Sequence, residues 1–155
     1  MNIIQLSFID TLKTRLQDGH DLIQVILGPR QVGKTTSVLE FLKNDYAKNS
    51  QYFTAEEISG NHNTWIQMKW EQARKNQSLL VIDEIQKVEN WSESVKRLFD
   101  EDRRNATTVP VVLLGSSSLD IQKGLSESLT GRFQLINAYH WNFDESTRGY
   151  HLDFN

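Results

Sequence analysis

The sequence predicts an α/β fold in which helices cover both faces of a parallel sheet. Two observations carry this. Three short apolar runs, Leu22 to Gly28, Ser78 to Asp83 and Val109 to Gly115, are rich in Val, Ile and Leu without alternation, the pattern of strands buried on both faces. Between them lie segments whose apolar residues recur at helical spacing, and strand alternating with helix implies right-handed crossovers between parallel strands.

Taken in order, Ser7 and Asp10 are placed to form a capping box for a first helix carrying Phe8, Ile9, Leu12 and Leu16 on one face,. The first strand, Leu22 to Gly28, leads into a helix with Val38, Leu42 and Tyr46 on its apolar side,. A weaker strand candidate, Gln51 to Ala55, precedes a helix with Ile66, Trp70 and Ala73 aligned. After the strand Ser78 to Asp83, a helix aligns Trp91, Val95, Leu98 and Phe99; after Val109 to Gly115, another aligns Ile121, Leu125 and Leu129. Phe133 to Tyr139 is the fifth strand candidate.

Composition bounds the function. The chain has 155 residues, 38% hydrophobic and 24% charged, which fits one domain with a substantial core. A net charge of -3 gives no reason to expect a nucleic-acid or membrane surface spread over the whole protein, and leaves room for a local basic patch. With no cysteine, disulfides and thiolate metal sites are excluded. The N-terminus lacks a basic stretch followed by a long apolar run, and no segment approaches the ~18 apolar residues of a membrane span. The expected location is the cytoplasm.

The chemistry begins at Gly28-Pro29-Arg30-Gln31-Val32-Gly33-Lys34-Thr35, which fits G-x-x-x-x-G-K-[ST] between a predicted strand and a predicted helix, the context this phosphate-binding loop requires. Backbone N–H groups and a helix N-terminus make an anion nest, and glycine lets the backbone approach phosphate oxygens. Lys34 would neutralise β- and γ-phosphate charge, Thr35 would ligate Mg²⁺ through its hydroxyl, and Thr36 completes the candidate binding segment. For Arg30 two readings stand, a γ-phosphate or partner contact and a solvated or ion-paired side chain.

Asp83 and Glu84 end the second apolar run, facing the crevice where open α/β sheets bind ligands. Asp83 would hold Mg²⁺ through water, and Glu84 would act as general base on the attacking water. The next strand ends in Ser116, Ser117 and Ser118. A hydroxyl there could orient the water or touch the γ-phosphate, with Ser117 first and Ser116 next, while Ser118 suits a helix cap. Arg132, before the last strand, reads either as an arginine finger acting on a neighbouring subunit or as a surface ion pair.

Other conspicuous residues carry less. Arg103 and Arg104 follow acidic residues in a mixed-charge helix end. Trp65, Trp70, Trp91 and Trp141 fall largely on apolar faces, and His20, His62, His140 and His151 lack metal-ligand spacing. No Asn-Lys-x-Asp guanine reader occurs, which disfavours GTP, and nothing resembles the acceptor pocket of a small-molecule kinase.

The segments "ILGPRQVGKTT", "VIDEIQKVENW" and "LLGSSSLDIQKGLSESLTGRF" together resemble the AAA-like ATPases of bacteria and archaea, in which a P-loop core precedes a lid and a C-terminal domain. The resemblance runs from Leu6 to His140. It implies a P-loop NTPase three-layer sandwich with strand order 5-1-4-3-2, ATP as nucleotide, and Lys34, Asp83, Glu84 and a polar sensor in the roles above. It also places Arg132 in a segment resembling the finger of AAA ATPases, and with it a homo-oligomer. Residues 1–155 are then expected to be the nucleotide core alone, with lid and C-terminal domain absent and hydrolysis slow. The expected activity is Mg-dependent ATP hydrolysis that drives or resets a change passed to the missing parts. The rival expectation is a nucleotide-dependent switch with little turnover, acting with a protein or DNA partner through the missing domain.

Overall fold

The computed structural model describes residues 7–19, 22–29 and 33–138. Its elements follow the order α1 (Ser7–Asp18), β1 (Ile23–Leu27), α2 (Lys34–Asp45), β2 (Ser50–Thr54), α3 (His62–Asn76), β3 (Leu79–Asp83), α4 (Trp91–Arg104), β4 (Val111–Gly115), α5 (Leu119–Ser128) and β5 (Phe133–Asn137). Short 3-10 turns at Ala55–Glu57 and Ile85–Lys87 follow β2 and β3. The strands form one parallel sheet in the order β2-β3-β4-β1-β5. This is the expected order read from the other edge. β1, β3, β4 and β5 are shorter by one or two residues than the runs that predict them, β2 keeps its expected length but begins one residue earlier, at Ser50 in place of Gln51, and Tyr139 lies outside the described residues.

The sheet order assigns the helices to faces. The chain moves one way along the sheet from β1 to β2 and the opposite way from β2 through β5, so right-handed crossovers put α2 on one face and α3, α4 and α5 on the other. The core divides accordingly. Val25, Leu27, Leu80, Ile82 and Leu113 pack against Ile66, Trp70, Val95, Leu98 and Ile121 of the α3, α4 and α5 layer. On the other face, Ile26, Val81, Val112 and Leu114 pack against Phe8, Leu12, Val38 and Phe41 of α1 and α2. All residues of β1, β3 and β4 are buried, whereas β2 and β5 are partly exposed. Central strands must bury both faces, and edge strands need not.

Polar contacts close the weak points. On the β5 edge, Arg15 donates to the Leu135 carbonyl at 3.0 Å, occupying a backbone acceptor that an edge strand would otherwise present to another chain. Between α3 and α4, the indole of Trp70 donates to Asp102 at 2.7 Å and Arg74 Nε donates to the other carboxylate oxygen at 2.6 Å. Trp70 is fully buried, so its N–H requires this acceptor. Of the four tryptophans, Trp91 is also buried, Trp65 is partly buried against the core, and Trp141 lies outside the described residues. Arg103 and Arg104 are exposed in the last turn of α4.

Candidate functional site

The loop after β1 opens at the carboxyl end of the sheet, where the two glycines of the motif serve different needs. A Cβ at Gly28 would stand 2.1 Å from the Ala138 carbonyl oxygen, because the end of β5 is tied there by a 2.7 Å bond from Ala138 N–H to the Leu27 carbonyl. The first glycine is therefore required by strand packing, a reason the sequence alone does not show. Gly33, at the N-cap of α2, has φ 83°, a left-handed conformation that favours glycine.

Lys34 begins α2 and folds its ammonium back over the loop, donating to the carbonyls of Gly28 at 2.7 Å and Pro29 at 2.8 Å. Partial burial lowers its pKa, opposed by the charges of Glu84 and Asp83. Its surroundings thus favour an anion that would restore the lost solvation. Arg30, Gln31 and Val32 lie outside the described residues.

Asp83, 4% exposed, joins the second half of the site to the first. Its Oδ2 accepts from the Thr35 hydroxyl at 2.6 Å and from the Tyr52 phenol at 2.5 Å, and its Oδ1 accepts from the Glu84 N–H at 2.8 Å. Burial, the bond to Asp83 and the charge of that carboxylate push the Tyr52 pKa well above the usual phenol range. Tyr52 is not among the sequence candidates. It stands on an edge strand, and only the register, which pairs Tyr52 with Val81 and Thr54 with Asp83, reveals that it lies diagonally behind Asp83 on the same face.

Glu84 adopts φ 55°, an uncommon conformation for a residue with a side chain and a form of strain that collects at functional sites. The Gln86 amide donates to its carboxylate. Gly33, Lys34, Thr35, Thr36, Glu84 and Ser116 line one cleft of about 270 Å³, joined by Glu56. Glu56, a second residue that motif reading misses, comes from the turn after β2 and pairs with Lys87 at 3.2 Å.

The three serines separate. Ser116 lines the cleft. Ser117 is exposed and lines a different groove with Leu27, Gln122 and Asn137, at the centre of a tight turn closed by a 2.9 Å bond from the Ser118 N–H to the Ser116 carbonyl,. Ser118 caps α5, accepting from the Ile121 N–H at 3.3 Å.

Arg132 is not brought to the cleft of its own chain. It precedes β5 at the amino end of the sheet, its carbonyl accepting from Ile23 N–H. The five residues from there to Asn137 span roughly 16 Å. Its guanidinium makes a two-pronged contact with Asp100 at 2.8 and 3.0 Å. His62 accepts from the Glu89 N–H through Nδ1, and the other histidines lie outside the described residues.

The donors fit a hard divalent cation shared with phosphate. Thr35 and Asp83 offer a hydroxyl and a carboxylate at hydrogen-bond distance from each other. Among the described residues no group of three His, Cys, Asp or Glu side chains could enclose an ion. A cation here would complete its shell with phosphate oxygens and water, as magnesium does. Among the described residues no helix is long and apolar enough to cross a membrane.

The family described as "AAA domain" matches residues 20–147. An archaeal protein of Methanocaldococcus jannaschii, described as uncharacterized, is 30% identical over 128 residues, covering 79% of this chain and 27% of its own length. The chain thus spans about a quarter of that relative.

Proposed function

The chain belongs to the AAA domain family, a membership that points to a nucleotide-binding, ATPase-like core, and we propose that it binds MgATP and hydrolyses it. One observation carries this reading: the Thr35 hydroxyl and the Asp83 carboxylate meet beside Lys34 at the head of the cleft. In it, Lys34 leaves the Gly28 and Pro29 carbonyls for β- and γ-phosphate oxygens, and the N-terminus of α2 faces the same anion. Thr35 and Asp83 hold magnesium, which when bound neutralises phosphate charge. Glu84 accepts a proton from water as the water oxygen bonds to the γ-phosphorus and the bond to the β-phosphate bridge breaks, releasing ADP and phosphate. Ser116 orients that water or the γ-phosphate, in place of Ser117.

The hydroxyl, ammonium and carboxylates do not choose a base. Adenine follows from the family and from the missing guanine-reading motif. Arg132 acts only between subunits in this reading, and it must first leave Asp100. Turnover per chain would then rise with protein concentration, and Arg132→Ala would abolish the rise.

The test is phosphate release from MgATP by the native chain and by Glu84→Gln. The variant should bind MgATP as the native chain does and lose about 10²-fold or more in release. Equal release from both would remove Glu84 from the chemistry. A second reading, a nucleotide-dependent switch with little turnover that recruits a protein or DNA partner, is favoured by the contact that occupies the Glu84 carboxylate with Gln86. Binding without release by the native chain would select it.

A further inference from the structure

Asp83 carries more hydrogen bonds than a metal-binding carboxylate needs from the phosphate loop alone. Its Oδ2 receives two hydroxyls, from Thr35 on α2 and from Tyr52 on β2, while Oδ1 receives the Glu84 N–H. The terminal torsion of an aspartate is soft; the Glu84 N–H holds Oδ1 from the adjoining backbone and Thr35 holds Oδ2 from the loop side, so Tyr52 is the contact that fixes Oδ2 from a separate element of the sheet. Tyr52 approaches from a strand paired directly with β3, and its ring packs against the core on the α1 and α2 side. Position and direction of the phenol are therefore set by the sheet and not by the loop.

We propose that Tyr52 is a positioning residue of the metal site, whose phenol holds the Asp83 carboxylate in the orientation that serves both Thr35 and a magnesium ion. The inference rests on the reading of Thr35 and Asp83 as the residues that hold that ion. Its chemistry is that of an outer partner to a metal ligand. Magnesium accepts little deviation from octahedral geometry, so a ligand already turned to the right angle binds it with less reorganisation, and loss of such a partner costs metal affinity. Phenylalanine would fill the same space on β2. The hydroxyl is the part of the side chain aimed at the buried carboxylate.

The experiment follows binding of a fluorescent ATP analogue while Mg²⁺ is titrated from a chelated starting point, for the native chain, Tyr52→Phe, Asp83→Asn and the double variant. Tyr52→Phe should raise the Mg²⁺ midpoint about ten-fold, leave affinity in chelator unchanged, and add nothing in the Asp83→Asn background. If Asp83→Asn raises the midpoint and Tyr52→Phe does not, the inference about Tyr52 is overturned and the reading of the site stands. If neither variant moves it, the reading of the site falls and takes the inference with it. Equal weakening of binding by Tyr52→Phe with and without Mg²⁺, together with a lower urea midpoint, would make the phenol a structural contact and would also overturn the proposal.

Discussion

Thr35 and Asp83 stand 48 residues apart in sequence and share a 2.6 Å hydrogen bond at the carboxyl edge of the sheet. This bond joins the helix that follows β1 to the end of β3, so the packing of these two segments brings the candidate metal ligands together. Thr35→Val keeps the shape and removes the hydroxyl. It should cost about 1 kcal/mol of stability and leave nucleotide affinity the same with Mg²⁺ as in chelator. Lys34→Ala should abolish binding under both conditions. Calorimetric titration with ATP distinguishes the two, and a Thr35→Val protein that still gains affinity from Mg²⁺ would place the ion elsewhere.

Gly28 makes a prediction about folding rather than chemistry. A methyl group there meets the Ala138 carbonyl at 2.1 Å, and that backbone is itself bonded to Leu27, so it cannot swing aside without breaking the end of the β1–β5 pairing. Gly28→Ala should lower stability by roughly 1–3 kcal/mol in urea unfolding, in nucleotide-free protein. An unchanged urea midpoint would mean that the first glycine of the motif serves phosphate approach alone.

Glu84 separates stability from function. Its left-handed backbone, φ 55°, costs a residue with a Cβ roughly 1–2 kcal/mol and costs glycine little. Glu84→Ala and Glu84→Gly both remove the carboxylate and should both lose phosphate release. The glycine variant should nevertheless be the more stable by about 1 kcal/mol. Urea midpoints in the reverse order would show that the strain is relieved in another way.

The Asp100–Arg132 pair should appear in the acid limb of stability. The guanidinium hydrogen bond holds the Asp100 carboxyl below its ordinary pKa, partly offset by burial. A carboxylate depressed in the folded state contributes stability above its unfolded pKa, about 4, and loses it as pH falls through the lower folded value. Asp100→Asn should therefore lower the urea midpoint at neutral pH and flatten its decline below about pH 4. Parallel curves for native and variant proteins would show that the pair contributes nothing measurable, as exposed ion pairs often do.

The outline of this protein is local in origin. Runs rich in Val, Ile and Leu became the buried strands β1, β3 and β4, since only a strand covered on both faces can carry apolar residues at successive positions. The apolar faces built on Val38, Ile66, Val95 and Ile121 became helices in the expected order, because helical spacing gathers them on one side. The glycine-lysine-threonine motif was legible because its neighbours in sequence are also its neighbours in space.

What only the tertiary structure decided is which distant side chains meet. The register of β2 on β3 brings Tyr52 to Asp83, and a shift of one residue would turn it to the other face. The exit of β5 gives Gly28 a second reason to be glycine. Ser116 and not Ser117 reaches the cleft, and Arg132 is held by Asp100 at the far edge of the sheet. Periodicity and motif spacing describe one segment at a time. Pairing register and side-chain direction arise when separate segments are packed together, and most of these four contacts cross more than thirty residues of chain.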